Sequence, residues 1–77
     1  PMPVPVTVPS FGESVTEVKL LKWLKADGSY VKRDEPLCEM ESEKASENVT
    51  APAAGVLKHI AATGSTLQVG AIVASID

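Results

Sequence analysis

A shift of 36 residues superposes the middle of this chain on its end. Leu21-Lys22 falls on Leu57-Lys58 and Gly28-Ser29 on Gly64-Ser65, and the apolar positions follow: Leu20 on Val56, Leu24 on Ile60, Val31 on Leu67, Leu37 on Val73, Met40 on Ile76. A repeat this long, occurring only twice in 77 residues, cannot build an open solenoid, which needs three or more units to bury a continuous core. It predicts two interlocked half-sheets related by a quasi-two-fold axis, closed into a flattened sandwich.

The local signals agree on an all-β chain. Val4, Val6 and Val8 alternate, and Val18 to Leu24, Leu37 to Met40, Val56 to Ile60 and Ala71 to Ile76 are apolar and β-rich. Asp27-Gly28, Asp34 to Pro36, Pro52 to Gly55, Thr63-Gly64 and Gly70 separate them with turn formers, and no segment sustains a helical period. The start, Pro1-Met2-Pro3-Val4-Pro5, alternates prolines that cannot donate to a sheet ladder. It reads as a lead-in over residues 1–5, with a single domain over 6–77.

Composition removes several function classes. At this length only about 60% of the unfolded chain's surface can be buried, which leaves little room for an enclosed catalytic cleft. A net charge of -3 with scattered Lys and Arg argues against nucleic acid, which demands a basic stripe. No apolar run approaches the roughly 20 residues that span a bilayer, so no membrane partner is expected. One cysteine, Cys38, excludes an internal disulfide, and in an apolar alternating strand it reads as a small buried hydrophobe. His59 occupies the place of Trp23 in the other half and has no second metal-ligating neighbour, so a structural role is expected. Asn48-Val49-Thr50 fits a glycosylation triplet, but such triplets arise by chance.

The repeat breaks in one informative place. The second half stops after Val73 to Asp77, whereas the first runs on from Leu37-Cys38-Glu39-Met40-Glu41 through Ser42-Glu43-Lys44-Ala45 into Ser46 to Ala51. This polar stretch is expected to turn a hairpin projecting from one end of the sandwich, with Lys44 at the tip and Glu41, Glu43 and Glu47 around it. The ordinary meaning of such a stretch is a solvated charged turn. A lysine mobile in its side chain and fixed in its backbone is also a tethering point.

Glu41-Ser42-Glu43-Lys44-Ala45 resembles the Glu-Thr-Asp-Lys-Ala motif of lipoyl domains, in which the lysine amine is acylated by lipoic acid. Pro9-Ser10-Phe11-Gly12-Glu13-Ser14-Val15-Thr16-Glu17 is similar to the Gly-Glu-Ser-Val segment that opens the lipoyl domain of 2-oxoglutarate dehydrogenase acyltransferases. Asp27-Gly28, Val31 to Leu37 and Ala51-Pro52-Ala53-Ala54-Gly55 fall where that family has its Gly turn, its Asp-Glu-Pro-Leu segment and its Ala-Pro-x-x-Gly turn. The likeness runs from about Val6 to Ile76.

The resemblance implies a flattened barrel of two four-stranded antiparallel sheets with quasi-two-fold symmetry, and lipoic acid amide-linked to Lys44. It implies a carrier that catalyses nothing itself and shuttles an acyl group, succinyl favoured. The implied partners are a thiamine-dependent 2-oxo acid decarboxylase, dihydrolipoyl dehydrogenase, the acyltransferase core of its own chain, and a lipoate ligase or lipoyl/octanoyl transferase. Phe11, Gly12, Glu13 and Ser14, with Glu41, Ser42, Glu43 and Ala45 around the lysine, are the expected recognition residues. The implied setting is bacterial cytoplasm or mitochondrial matrix, and the isolated domain is expected to be monomeric.

Three alternatives remain open on the residues. A glycine-cleavage H-protein carries a Glu-Ser-x-Lys-Ala motif and an aminomethyl group on the same arm, though this chain is short for one. Biotin carriers flank their lysine with methionines, where this chain has Glu43 and Ala45. An unmodified structural or binding β-domain is the third. Ser46-Glu47-Asn48 also departs from the more apolar run usual after the lysine. By alternation from Val49 and Ala51, Glu47 points inward, so either the hairpin end frays or a bulge rotates it out.

Overall fold

The computed structural model describes residues 2–77, and all its regular structure is strand. The eight strands are β1 (Val4–Thr7), β2 (Glu17–Trp23), β3 (Tyr30–Val31), β4 (Pro36–Glu41), β5 (Ser46–Thr50), β6 (Gly55–His59), β7 (Thr66–Gln68) and β8 (Ile72–Ile76). They form two four-stranded antiparallel sheets, ordered β1-β8-β6-β3 and β5-β4-β2-β7. The second order is the first with β1 and β5, β2 and β6, β3 and β7, β4 and β8 exchanged, which is the topology a two-fold axis requires. Between the sheets lies a wholly apolar core that includes Leu20, Val31, Leu37, Met40, Leu57, Val73 and Ile76, with no buried polar side chain among the described residues.

The symmetry extends to individual hydrogen bonds. Leu24 and Lys25 both donate N–H to the Leu37 carbonyl, as Ile60 and Ala61 do to Val73. Ser29 closes its turn by donating N–H and hydroxyl to Ala26 O, and Ser65 does the same to Ala62 O. Asp34, at φ 71, matches Gly70, at φ 92, and aspartate tolerates that left-handed conformation better than most side chains. Trp23 and His59, equivalent by the repeat, stack with ring centroids 3.7 Å apart and planes within 10°. Trp23 Nε1 donates to Ala61 O, and the His59 Nε2 lies 2.9 Å from Lys25 O, the equivalent carbonyl. Two residues related by a two-fold axis can stack face to face only beside that axis, so the pair marks its position.

Three details differ from the sequence reading. The lead-in is shorter than residues 1–5, because Val4 pairs with Ile76 and Pro5 with Ser75 in β1; Pro1 lies outside the described residues. The Val8 N–H donates to Ala71 O, so by alternation Val4 and Val6 face β8 while Pro3, Pro5 and Pro9 fall along the open edge. There a missing donor costs nothing and discourages pairing with another chain. Second, Leu20 corresponds to Leu57 rather than Val56. β2 bulges between Leu20 and Lys22, which turns Leu20 inward (0% exposed) whereas Val56 stays 44% exposed.

Third, the two halves are not equally long. Gly70 N–H bonds Val8 O and Asp34 N–H bonds Ala51 O, making Val8 and Ala51 equivalent. Eleven residues then lie between Val8 and Leu20, against five between Ala51 and Leu57. The loop before β2 is therefore six residues longer than its counterpart.

Candidate functional site

Both departures from symmetry lie at one end of the sandwich. One is the β4–β5 hairpin, whose counterpart in the other half is the pairing of β8 with β1; the other is the lengthened loop before β2.

The hairpin is paired to its tip. Cys38 opposes Val49, Glu39 opposes Asn48, Met40 opposes Glu47 and Glu41 opposes Ser46. Four residues, Ser42-Glu43-Lys44-Ala45, close it. Ser42 organises this turn almost alone: its N–H donates to Ala45 O at 2.8 Å, and its hydroxyl oxygen accepts from Lys44 N at 3.2 Å and Ala45 N at 3.1 Å. The same Ser42 oxygen lies 3.2 Å from Ala45 O. A serine bonding the backbone two and three residues on is the local turn expected of this residue type. The result is a stiff tip that leaves Glu43, Lys44 and Ala45 exposed.

Glu47 resolves differently from either expectation. Pairing continues past it, so the end is not frayed, and the register shift of this ladder falls between Pro36 and Cys38, so no bulge rotates it. It shares the sheet face of Val49 and of its cross-strand partner Met40, which is fully buried, yet Glu47 itself is exposed, and β5 is the edge strand of its sheet. No ion pair holds Lys44. The one ion pair among the described residues is Lys25–Glu35 at 3.1 Å, beyond the far end of β4. There the Lys32 N–H, followed by Lys25, holds the Glu35 carboxyl below its usual range.

The loop is anchored at two points and free between them. Phe11 packs on the core and Val15 is buried, while Gly12, Glu13 and Ser14 are exposed. The Val15 N–H donates back to Gly12 O at 3.2 Å, and Gly12 adopts φ 126. This presents Ser14 toward the hairpin, where Lys44 Nζ donates to Ser14 Oγ at 2.5 Å. An open groove of about 480 Å³ runs beside the contact, lined by loop and β2 residues from Ser14 to Lys19, by Glu41, Ser42 and Glu43, and by Thr66. The structure thus gathers Ser14, Glu41, Ser42, Glu43 and Lys44, with Glu13 and Ala45 exposed beside them, and keeps Phe11 as an anchor. Thr16 and Glu17 belong to the Pro9–Glu17 segment already singled out, whereas Lys19 and Thr66 were not anticipated. Their signal was legible only as period-two alternation on the outer face of β2 and β7, where Lys19 opposes both Glu41 and Thr66.

Cys38 takes no part in this surface. It is fully buried, and burial raises its thiol from 9.0 to about 11, which keeps it protonated at neutral pH.

The arrangement is a primary amine carried on a rigid tip, with no enclosed pocket and no metal-ligating cluster among the described residues. Such a tip can present a covalently attached group to a partner. The chain belongs to the family of biotin- and lipoyl-attachment domains: the family model described as "Biotin-requiring enzyme" matches residues 4–76. Within it, the similarities fall on the lipoyl branch. The chain is 44% identical over 77 residues, 99% of its length, to the dihydrolipoyllysine-residue succinyltransferase component of the 2-oxoglutarate dehydrogenase complex of Rickettsia felis. It is 43% identical over 72 residues to the corresponding acetyltransferase component of the pyruvate dehydrogenase complex of Corynebacterium glutamicum, covering 92% of this chain. It spans 19% and 11% of those two proteins' lengths. Its fold matches the solution structure of the lipoyl domain of the 2-oxoglutarate dehydrogenase complex from Azotobacter vinelandii, with a TM-score of 0.76 and 29% identity, covering 96% of this chain and 95% of that one.

Proposed function

We propose that this chain is the arm-bearing domain of a 2-oxo acid dehydrogenase acyltransferase, with lipoic acid amide-linked to Lys44. The observation that carries the reading is the placement of Lys44: exposed, unpaired by any carboxylate within 4.0 Å, at the tip of a hairpin whose turn is pinned by Ser42. The donor fits the group. A free primary amine forms the amide, and the groove beside it is open along its length rather than enclosed.

The attached dithiolane would supply a redox-active disulfide and, once opened, a thiol that can carry an acyl group. The chain's own residues hold the attachment point at a fixed height above the sandwich. Tethering makes each visit to a partner active site effectively intramolecular, so the cargo is not lost by diffusion. Free lipoamide lacks Glu13, Ser14, Glu41, Glu43 and Ala45, whose exposed arrangement around the lysine gives a partner something to read. The partners on this reading are the thiamine-dependent decarboxylase, dihydrolipoyl dehydrogenase and the acyltransferase core of the parent chain, with a lipoate ligase or lipoyl/octanoyl transferase for attachment. The setting is bacterial cytoplasm or mitochondrial matrix.

The cargo we favour is succinyl, on the Gly12-Glu13-Ser14-Val15 segment and the succinyltransferase relatives. Acetyl remains the competitor, because the acetyltransferase relatives are as similar, at 43% and 45%. Reductive acylation of the lipoylated domain by purified 2-oxoglutarate, pyruvate and branched-chain 2-oxo acid decarboxylases separates them. The expected result is a kcat/KM about tenfold or more higher with the 2-oxoglutarate enzyme, the equivalent of roughly 1.4 kcal/mol of discrimination. A preference for the pyruvate enzyme would reassign the cargo to acetyl.

A further inference from the structure

The hairpin and the lengthened loop touch through a contact that two-fold symmetry would not supply, Lys44 Nζ to Ser14 Oγ at 2.5 Å. The backbone of the same lysine is held by a second hydroxyl, that of Ser42, which accepts from Lys44 N and Ala45 N. We propose that Ser14 and Ser42 are positioning residues for the modification of Lys44, Ser42 setting the backbone of the turn and Ser14 the place of the amine. This rests on the reading of Lys44 as the attachment site and deepens it.

Lysine carries its ammonium on a flexible four-carbon stem, so an exposed lysine presents its nitrogen over a wide volume. Attachment needs the opposite. The nitrogen must shed one proton to solvent or enzyme, and its lone pair must meet the carbonyl carbon of an activated lipoyl donor such as the adenylate. The new N–C bond then forms as the donor's C–O bond breaks and AMP departs with that electron pair, and the nitrogen releases its second proton. Holding the reacting atom near its attack position lowers the barrier to that step. Ser14 does this without touching the donor or taking a proton, since its oxygen is the acceptor of the hydrogen bond. It can do so only because the loop is six residues longer than its symmetry mate and is pinned by Phe11 and Val15, which leaves Ser14 standing toward the hairpin.

The contact is also strongest in the unmodified state. An ammonium offers three charged donors; the amide that replaces it offers one neutral N–H and carries a bulky acyl chain. Charge-assisted hydrogen bonds are roughly twice as strong as neutral ones, so attachment loosens Ser14 from Lys44. The loop, freed at Ser14, thereby differs between modified and unmodified domain.

The test uses the intact domain with lipoate, ATP and a lipoate ligase, and the variants Ser14→Ala, Ser42→Ala and Ser42→Thr. Ser14→Ala is expected to lower kcat/KM for modification about two- to tenfold, the worth of one hydrogen bond of ordinary net strength, mainly in kcat and with Tm unchanged. Ser42→Ala is expected to lose a similar factor and Ser42→Thr, which keeps the hydroxyl, to recover it to within about twofold. Nitrogen relaxation of the Lys44 ammonium is expected to show a slower side chain in the parent than in Ser14→Ala, with Ser14 and Glu13 amide signals shifting on lipoylation. Parent rates in both alanine variants, or equal ammonium mobility in parent and Ser14→Ala, would overturn the positioning role while leaving the attachment site standing. A parent domain that is folded yet unmodified at Lys44 would instead remove the reading beneath it.

Discussion

At Gly55 the backbone takes φ 155, and a Cβ built there would lie 2.7 Å from the Asp77 carbonyl oxygen and 2.7 Å from Ile76 Cγ2. Neither neighbour can yield easily, because Asp77 exchanges both backbone hydrogen bonds with Val56 and Ile76 is core. Gly55→Ala is expected to cost about 2–4 kcal/mol, combining overpacking with an unfavourable φ, and denaturant titration reads it directly. A midpoint equal to the parent's would show that the chain end moves aside. The Ala-Pro-x-x-Gly turn was legible as sequence, but its reason was not: the glycine is required by a strand that arrives from the far end of the chain. The same limit applied to Glu47, whose exposure accompanies the place of β5 at the edge of its sheet. Lys44 was the opposite case, since hairpin length and turn chemistry place it without tertiary information.

The elements were read well where their pattern was long and poorly where it was short. β2, β4, β6 and β8 follow from alternation and β-branched content, and their equivalence in pairs follows from the repeat. β3 and β7, at two and three residues, are too brief to show a period and exist because neighbouring strands present ladders to them. β1 was partly misread because prolines argue against a strand until it is known to be an edge. The Trp23–His59 pair is a property of two elements meeting, foreshadowed only by their equivalence in the repeat. Each ring straps the opposite half through one hydrogen bond and stacks on its mate, so His59→Ala removes a stack and a strap together. The expected loss is about 1–3 kcal/mol, or a Tm lower by roughly 4–8 °C per kcal/mol for a domain of this size. A Tm within a degree or two of the parent's would show that the axis is held by the sheets alone.

On the scale of the whole molecule, the two-fold symmetry accounts for the sandwich and its violations account for the function. Two copies of one half-sheet motif close a core with no buried polar side chain among the described residues. What the symmetry does not explain, the hairpin and the longer loop, lies at one end and meets at Lys44. That division explains why the sequence yielded the carrier reading readily and the cargo less so. The scaffold and the tip are encoded in repeats and turn residues, whereas partner choice depends on a surface assembled from the loop, β2, β4 and β7. Attachment at Lys44 is tested by intact and fragment mass spectrometry of the domain after incubation with lipoate, ATP and a lipoate ligase, with a parallel biotin ligase reaction and Lys44→Arg as control. The expected result is a mass gain of one lipoyl group confined to Lys44, absent from the folded Lys44→Arg variant and without biotin incorporation. A folded parent domain left unmodified, or modified at another lysine, would contradict it.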